Sequence, residues 1–144
     1  MLSILDMARG LEGYPYDLVK LPEGCDEVLT ALSKTYAIGL VSSRIHEGID
    51  QFFDFTCLRS LFEVTIGYED SEGHKPEPDP LLVACARLSV EPHEAVYIGD
   101  APTDLTCATA AGTHFIAFGD AIPEAHHQTN SFRDLEAMLR MLGE

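Results

Sequence analysis

Residues 95–112 constrain the fold of this chain more than any other stretch of its sequence. The apolar run at 95–98 is too short for a helix and is followed by Gly99, which is typical of a buried strand at a sharp turn. Pro102 suits the first position of a helix, and Gly112 suits a helix end. The sequence therefore predicts a strand, a tight turn and an alanine-rich helix.

Two carboxylates lie at this turn. Asp100 directly follows the predicted strand, and Asp104 falls in the first turn of the predicted helix. Ligands of open parallel sheets bind just outside the carboxyl ends of the strands, so this pair predicts a site for a hard cation. The alternative for Asp100 is a role as helix N-cap, which is common for aspartate before proline.

The same alternation of strand and helix recurs along the chain, which predicts an α/β fold with a parallel, doubly wound sheet. Further strands are predicted at residues 36–41, 62–67 and 114–118. Helices are predicted at residues 2–12, 23–34, 79–88 and 131–142, with shorter ones from residue 45 and within 51–61, and with Ser131 as the N-cap of the last. The polar, proline-rich segment 68–80 is predicted to be a loop.

Size and charge limit the classes of function. At 144 residues the chain is predicted to be one domain, and its formal charge of −15 argues against nucleic acid or an anionic membrane as partner. No apolar run approaches the length of a membrane helix, and no leader is recognisable, so we expect a cytoplasmic protein. The cysteines show no zinc or redox spacing, which favours reduced thiols.

Polar side chains collect at the predicted strand ends. Ser42 and Ser43 follow one strand, Lys75 lies in the loop after the next, and Asp100 and Asp104 follow the third. A hydroxyl with backbone amides can bind phosphate oxygens, a lysine adds positive charge, and two carboxylates can hold Mg²⁺. Together these groups could neutralise and orient a phosphoryl group.

Three segments carry a resemblance to a known family. They are Leu-Val-Ser-Ser-Arg at 40–44, His-Lys-Pro-Glu-Pro-Asp-Pro at 74–80, and Val-Tyr-Ile-Gly-Asp-Ala-Pro-Thr-Asp at 96–104 with Ala-Ala-Gly at 110–112. In this order they resemble motifs two, three and four of the haloacid dehalogenase (HAD) superfamily, most closely its phosphoglycolate phosphatase-like branch.

The resemblance implies a role for each matching residue. Ser42, with Ser43 beside it, would bind the transferring phosphoryl group, and Lys75 would stabilise its charge. Asp100 would ligate Mg²⁺, and Asp104 would support the metal site. The implied reaction is hydrolysis of a phosphate monoester through an aspartyl-phosphate.

The first motif of the family is absent. It is an Asp-x-Asp pair at the end of the first, central strand, where one carboxylate attacks phosphorus and the other acts as general acid and base. This sequence contains no Asp-x-Asp pair. Asp6 is the only early candidate for a replacement nucleophile, and the helical spacing around it favours an ordinary helix residue.

The resemblance therefore predicts a partial protein: a three-layer Rossmann-like core at residues 18–144, a remnant of a cap helix at residues 1–17, and no first central strand. The gap would leave two open strand edges, which either pair with each other or accept another chain, so a homo-oligomer or a complementing chain is expected. We expect a phosphohydrolase that is inactive alone, with Mg²⁺ bound weakly or not at all. A non-catalytic binding or regulatory module is the alternative.

Ordinary structural roles compete with these assignments. Lys75 could be a solvated lysine or a partner that neutralises Asp100, and Ser42 could cap a helix. The adjacent His126 and His127 look like a metal pair but are typical of a solvated loop.

Overall fold

The computed structural model describes residues 2–5, 24–56 and 58–143. Its helices and strands alternate along most of the chain. The strands are β1 (Leu2–Leu5), β2 (Ile38–Val41), β3 (Val64–Ile66), β4 (Ala95–Gly99), β5 (His114–Phe118) and β6 (Gln128–Thr129). The helices are α1 (Cys25–Ser33), α2 (His46–Thr56), α3 (Asp79–Leu88), α4 (Pro102–Ala111) and α5 (Leu135–Leu142).

The described strands form one parallel sheet in the order β3-β2-β1-β4-β5-β6. β2 and β4 are buried along their whole length, as expected for central parallel strands with helices on both faces. The order reverses next to β1, and this is where open α/β sheets place their ligands.

Helices cover both faces of the sheet and give the fold its three layers. One buried cluster joins α1, α2 and α5 to one face, and the other joins α3 and α4 to the opposite face. Successive side chains of β4 point to opposite faces of the sheet and so belong to different clusters. Val96 and Ile98 belong to the first, and Ala95 and Tyr97 belong to the second.

The N-terminal residues correct the sequence prediction. Leu2–Leu5 is a strand, so the helix predicted over residues 2–12 is wrong for residues 2–5, as is the interpretation of those residues as part of a cap-helix remnant. Residues 6–17 lie outside the described residues. β1 pairs with β2 and β4, with Ile4 opposite both Gly39 and Tyr97.

The gap expected between β2 and β4 is thus filled by this chain's own residues. The expectation of a missing central strand is corrected, although the Asp-x-Asp pair remains absent from the sequence. The physical reason is that a short apolar run fits a buried strand and a helix equally well by pattern. Two facing edges with unsatisfied backbone groups then favour the strand.

Most other predicted elements are confirmed, with small differences at their ends. α3 and β5 have the predicted bounds, and α4 ends at Gly112 in the left-handed conformation, with φ 86°. The last helix begins later than predicted. Its segment opens with a 3-10 turn at Phe132–Asp134, and the side chain of Ser131 caps neither that turn nor α5. The short β6 was not predicted.

Three cysteines of the described ranges are buried and form no disulfide with one another, namely Cys25, Cys85 and Cys107. Burial, with a smaller contribution from Asp26, raises the pKa of Cys25 to about 12, so this thiol is inert at neutral pH. Cys57 lies outside the described residues. Within the described part of the chain, no helix combines the length and the apolar character needed to span a bilayer.

Candidate functional site

The loops that follow β2, β3 and β4 bring the predicted site residues to one edge of the sheet. The loops after β2 and β3 are joined by a hydrogen bond from the Tyr68 amide to the Arg44 carbonyl, 2.8 Å long. Lys75 reaches from the loop after β3 to Asp104 at the start of α4. The site therefore takes its residues from segments far apart in the sequence, as the topology predicts.

Asp104 is the centre of this arrangement. Its side chain is completely buried. One oxygen, Oδ2, accepts hydrogen bonds from the backbone amides of Asp100 and Ala101, each 3.1 Å long. The other oxygen, Oδ1, accepts hydrogen bonds from Lys75 Nζ at 3.1 Å and from the Tyr97 hydroxyl at 3.2 Å. Asp104 thus fixes both the turn after β4 and the lysine.

This geometry replaces the capping role considered for Asp100. The residue before α4 is Ala101, and Asp104 satisfies the amides at the helix start from inside the first turn. Such a carboxylate also lies favourably near the positive end of the helix dipole. Asp100 lies at the carboxyl end of β4, one residue before the N-cap position.

Gly99 allows Asp104 to come this close. A Cβ atom added to Gly99 would lie 2.6 Å from Cβ of Asp104 and 2.7 Å from its Oδ2. Both distances are shorter than any ordinary van der Waals contact between such atoms. Glycine at the end of β4 is therefore required for the approach of Asp104, in addition to suiting the turn.

Lys75 is held in a buried ion pair. Its side chain is 2% exposed, and two of its three N–H donors are directed at Asp104 and Tyr97. The alternative of a solvated lysine is therefore wrong, and Lys75 forms an ion pair with Asp104. A charge in such surroundings acts over short distances more strongly than one in water.

Tyr97 is the member of the site that the sequence analysis missed. It was assigned to the buried strand as an apolar residue, and it is indeed fully buried. Its hydroxyl nevertheless accepts a hydrogen bond from Lys75 Nζ at 3.1 Å and donates one to Asp104. The available signal was that a buried tyrosine needs a partner for its hydroxyl.

Ser42 lies directly after β2 and is buried, with 3% of its surface exposed. Its amide bonds to the carbonyl of Ile66 at 2.9 Å, and its Oγ accepts a hydrogen bond from the Arg44 amide at 3.1 Å. Ser42 therefore shapes the turn after β2 and does not cap α2. Ser43, beside it, is exposed.

The start of α2 is capped from the neighbouring loop. The carboxylate of Glu69 accepts the His46 amide at 3.0 and 3.1 Å, and Asp70 accepts the His46 ring and the Gly67 amide. Arg87 of α3 also contacts Asp70, at 3.2 Å. These contacts hold the segment that leads to Lys75 against two helices.

The pKa of Asp70 reflects these contacts. Burial acts to raise it, but hydrogen bonds from Gly67, His46 and Arg87, together with the positive charge of His46, outweigh burial. The pKa therefore lies below its ordinary value.

The described residues do not by themselves form a metal centre. No group of three or more histidine, cysteine, aspartate or glutamate side chains in the described ranges is arranged to hold an ion, and this includes His126 and His127. Both oxygens of Asp104 are engaged by donors, one of them a cation, which disfavours direct ligation. Asp100 is the carboxylate whose position at the strand end suits Mg²⁺.

Comparison with known proteins agrees with the fold and the motifs. The family model described as haloacid dehalogenase-like hydrolase matches residues 7–118. The chain belongs to this family. The match includes all three segments that carry Ser42, Lys75 and Asp100.

Two curated relatives and one solved structure illustrate the similarity. The pyrophosphatase PpaX of Bacillus pumilus is 32% identical over 88 residues, which cover 61% of this chain and 41% of the relative. The phosphoglycolate phosphatase of Escherichia coli K12 is 29% identical over 107 residues, covering 70% and 42% respectively. The crystal structure of a HAD-superfamily hydrolase of subfamily IA from Geobacter sulfurreducens is 26% identical, with a TM-score of 0.77, covering 86% of this chain and 58% of the other.

The chain therefore spans less than half the length of these curated relatives. Phosphatases of the HAD family generally use Mg²⁺. The family and its Rossmann-like α/β core are established for this chain, whereas substrate and activity belong to the whole proteins that it resembles.

Proposed function

We propose that this chain carries the phosphate-binding half of a HAD-type phosphomonoester hydrolase. The observation that supports this most directly is the buried Lys75–Asp104 pair at the carboxyl edge of the sheet, in a family that hydrolyses phosphate esters. The Ser42 turn and Asp100 follow neighbouring strands at the same edge. No other arrangement of charged groups in the described chain combines burial with this location.

The residues have separate roles in this proposal. The Ser42 hydroxyl and the neighbouring Ser43 bind phosphoryl oxygens, and Lys75 offsets their negative charge. Asp104 holds Lys75 and fixes the turn that presents Asp100. These groups bind and orient a phosphoryl group, and the attack on phosphorus requires a carboxylate that none of them supplies.

In this proposal Mg²⁺ binds only weakly to the chain on its own. When bound, Mg²⁺ would neutralise phosphoryl oxygens, and Asp100 would hold it. Mg²⁺ demands near-octahedral geometry and dehydrates reluctantly. A site made of the Asp100 carboxylate, with Asp104 only supporting it from the helix, therefore binds this ion poorly. We therefore expect strong binding only when further ligands are supplied.

Binding of orthophosphate tests the proposal directly. Calorimetric titration of the chain with orthophosphate in the presence of Mg²⁺ should give measurable heat. The signal should be lost in Lys75→Met and weakened at least about tenfold in Ser42→Ala, because each removes a donor to a charged ligand. Ser60→Ala, on the exposed turn before β3, is the matched control and should bind like the wild type. Equal heats in all four proteins would contradict the proposal.

Catalytic inactivity of the chain alone is a second, separate test. Because the sequence has no Asp-x-Asp pair, we expect no turnover of p-nitrophenyl phosphate. Substantial turnover that EDTA and Asp100→Asn both abolish would show this expectation to be wrong. In that case Asp6→Asn would report whether the residue that follows Leu5 in the sequence is the nucleophile.

The alternative is a non-catalytic module that uses the HAD fold to bind a partner or a phosphorylated ligand. The absence of an Asp-x-Asp pair favours this alternative as well, because a binding module needs no nucleophile. A pull-down that captures a defined partner, without phosphatase activity in the complex, would support it. An open reading frame upstream of the Met1 codon that encodes a strand and an Asp-x-Asp pair would instead support a fragment of a phosphatase. A cytoplasmic location remains part of the proposal. Assembly with a second copy or a complementing chain also remains a proposal, but β1 fills the gap that first suggested it, so it no longer rests on open strand edges.

A further inference from the structure

Tyr97 lies in the middle of β4, between β1 and β5, and its side chain points toward α3 and α4. Its ring contacts Phe115 at a centroid distance of 6.1 Å and a tilt of 58°. The Tyr97 ring therefore packs against a ring of the neighbouring strand β5. The hydroxyl is therefore held at the site by a strand that is buried along its whole length and paired on both sides.

The hydroxyl joins the two charged groups of the buried pair. It accepts from Lys75 Nζ and donates to Asp104 Oδ1, at 3.1 and 3.2 Å. The Nζ atom also lies 5.9 Å from the centre of the Tyr97 ring, near the limit of cation–π attraction. Lys75, Tyr97 and Asp104 thus form a closed triangle of hydrogen bonds.

The triangle matters because a lysine ammonium is a point charge on a flexible stem. A single acceptor fixes its distance from that acceptor but leaves it free to rotate around it. A second acceptor on a buried strand reduces this freedom. Both acceptors are completely buried, so together they restrict where the Lys75 ammonium group can lie.

We propose that Tyr97 is a positioning residue, whose hydroxyl holds the Lys75 ammonium where it meets a phosphoryl group. Its connection to phosphate rests on the proposed function above. The placement of Lys75 by Tyr97 is independent of it. Tyr97→Phe keeps the ring and its contact with Phe115, so it removes the hydroxyl with little change in packing.

Lysine ammonium groups can be observed directly by NMR, and this chain is suited to it because it has only Lys20, Lys34 and Lys75. In protein with labelled lysine Nζ, the Lys75 signal is assigned by its loss in Lys75→Met. Exposed Lys34 provides the internal reference. We expect slow exchange of the Lys75 ammonium protons with water in the wild type.

In Tyr97→Phe the exchange should accelerate at least about tenfold, the factor that corresponds to one hydrogen bond to a charged group. Tyr36→Phe removes a hydroxyl from a half-buried tyrosine in the opposite core cluster and should leave Lys75 unchanged. Unchanged Lys75 exchange in a folded Tyr97→Phe protein would overturn the proposal. If that variant does not fold, a nuclear Overhauser contact in the wild type between the Tyr97 hydroxyl proton and the Lys75 ε-methylene decides, and its absence overturns the proposal.

Addition of orthophosphate with Mg²⁺ separates this inference from the proposed function. In the wild type the Lys75 Nζ signal should shift, and in Tyr97→Phe the shift should be smaller at equal phosphate concentration. A wild-type signal that does not respond contradicts phosphate binding at Lys75. The exchange rates alone still decide whether Tyr97 positions the lysine.

Discussion

At the scale of single residues, the site depends on the close approach of Gly99 and Asp104. The missing Cβ of Gly99 leaves room for a carboxylate that bonds two backbone amides and two side chains. Asp104 lies in a helix, so it cannot swing away from an added methyl group as an exposed side chain could. Packing at one position therefore controls the electrostatics of the whole site.

Gly99→Ala should consequently lower the free energy of unfolding by about 1–3 kcal/mol, the cost of an overpacked core position. It should also accelerate exchange of the Lys75 ammonium, because Asp104 must move. Gly112→Ala is the control. Its left-handed backbone costs about 1–2 kcal/mol in a residue with a Cβ, but the nearest atom to that Cβ would be 3.8 Å away, in Pro92. Urea unfolding and lysine NMR on both variants check this, and a Lys75 signal that changes equally in both would contradict it.

The buried ion pair leads to a second prediction at the residue scale. Removing one partner leaves an uncompensated buried charge, so Lys75→Met should cost about 3–5 kcal/mol. Asp104→Asn removes the opposite charge while keeping an oxygen for the backbone amides. We expect the double variant to be less destabilised than the sum of the two single variants, measured by urea unfolding in a double-mutant cycle. Strict additivity would show that the pair is not coupled.

At the scale of elements, the loop after β3 is held by side-chain contacts with both α2 and α3. The 3-10 turn at Tyr68–Asp70 is tied to α2 through His46 and to α3 through Arg87. Tyr68 also stacks on His74, with ring centroids 3.8 Å apart, next to Lys75 in the sequence. The sequence predicted this segment as a polar loop, and its order arises from contacts between elements that no local pattern encodes.

Asp70 makes the stability of this loop depend on pH. Its pKa is lowered in the folded protein from an ordinary value of 3.8, so its stabilising effect is complete above that value and is lost as pH falls through the folded pKa. Asp70→Asn should destabilise the protein at pH 7 and flatten the fall in stability below about pH 4. Asp50→Asn is the control, since its pair with Arg59 is more than half exposed on both sides. Thermal unfolding between pH 3 and 7 checks the difference, and parallel curves for Asp70→Asn and wild type would contradict it.

At the scale of the whole molecule, the alternation of elements was predictable because apolar runs, prolines and glycines mark strand and helix ends locally. The positions of Ser42, Lys75, Asp100 and Asp104 at one edge followed from the parallel topology. The role of Tyr97 and the exact partner of Lys75 did not follow, because both depend on side-chain directions. The strand at Leu2–Leu5 was missed for a different reason. Its apolar spacing fits a helix, but the position between β2 and β4, which exists only in the assembled sheet, favours a strand.

The position of β1 between β2 and β4 permits a test of the entire sheet. β1 pairs on both sides, so a proline within it would remove a ladder hydrogen bond and clash with its neighbours. Ile4→Pro should lower the melting temperature by about 10 °C or more, because loss of the central strand exposes the inner edges of β2 and β4. Exposed edges pair between molecules, so size-exclusion chromatography should show association that Ile4→Val, the control, does not. A monomeric Ile4→Pro protein with the melting temperature of the wild type would mean that β2 and β4 do not depend on β1 for pairing.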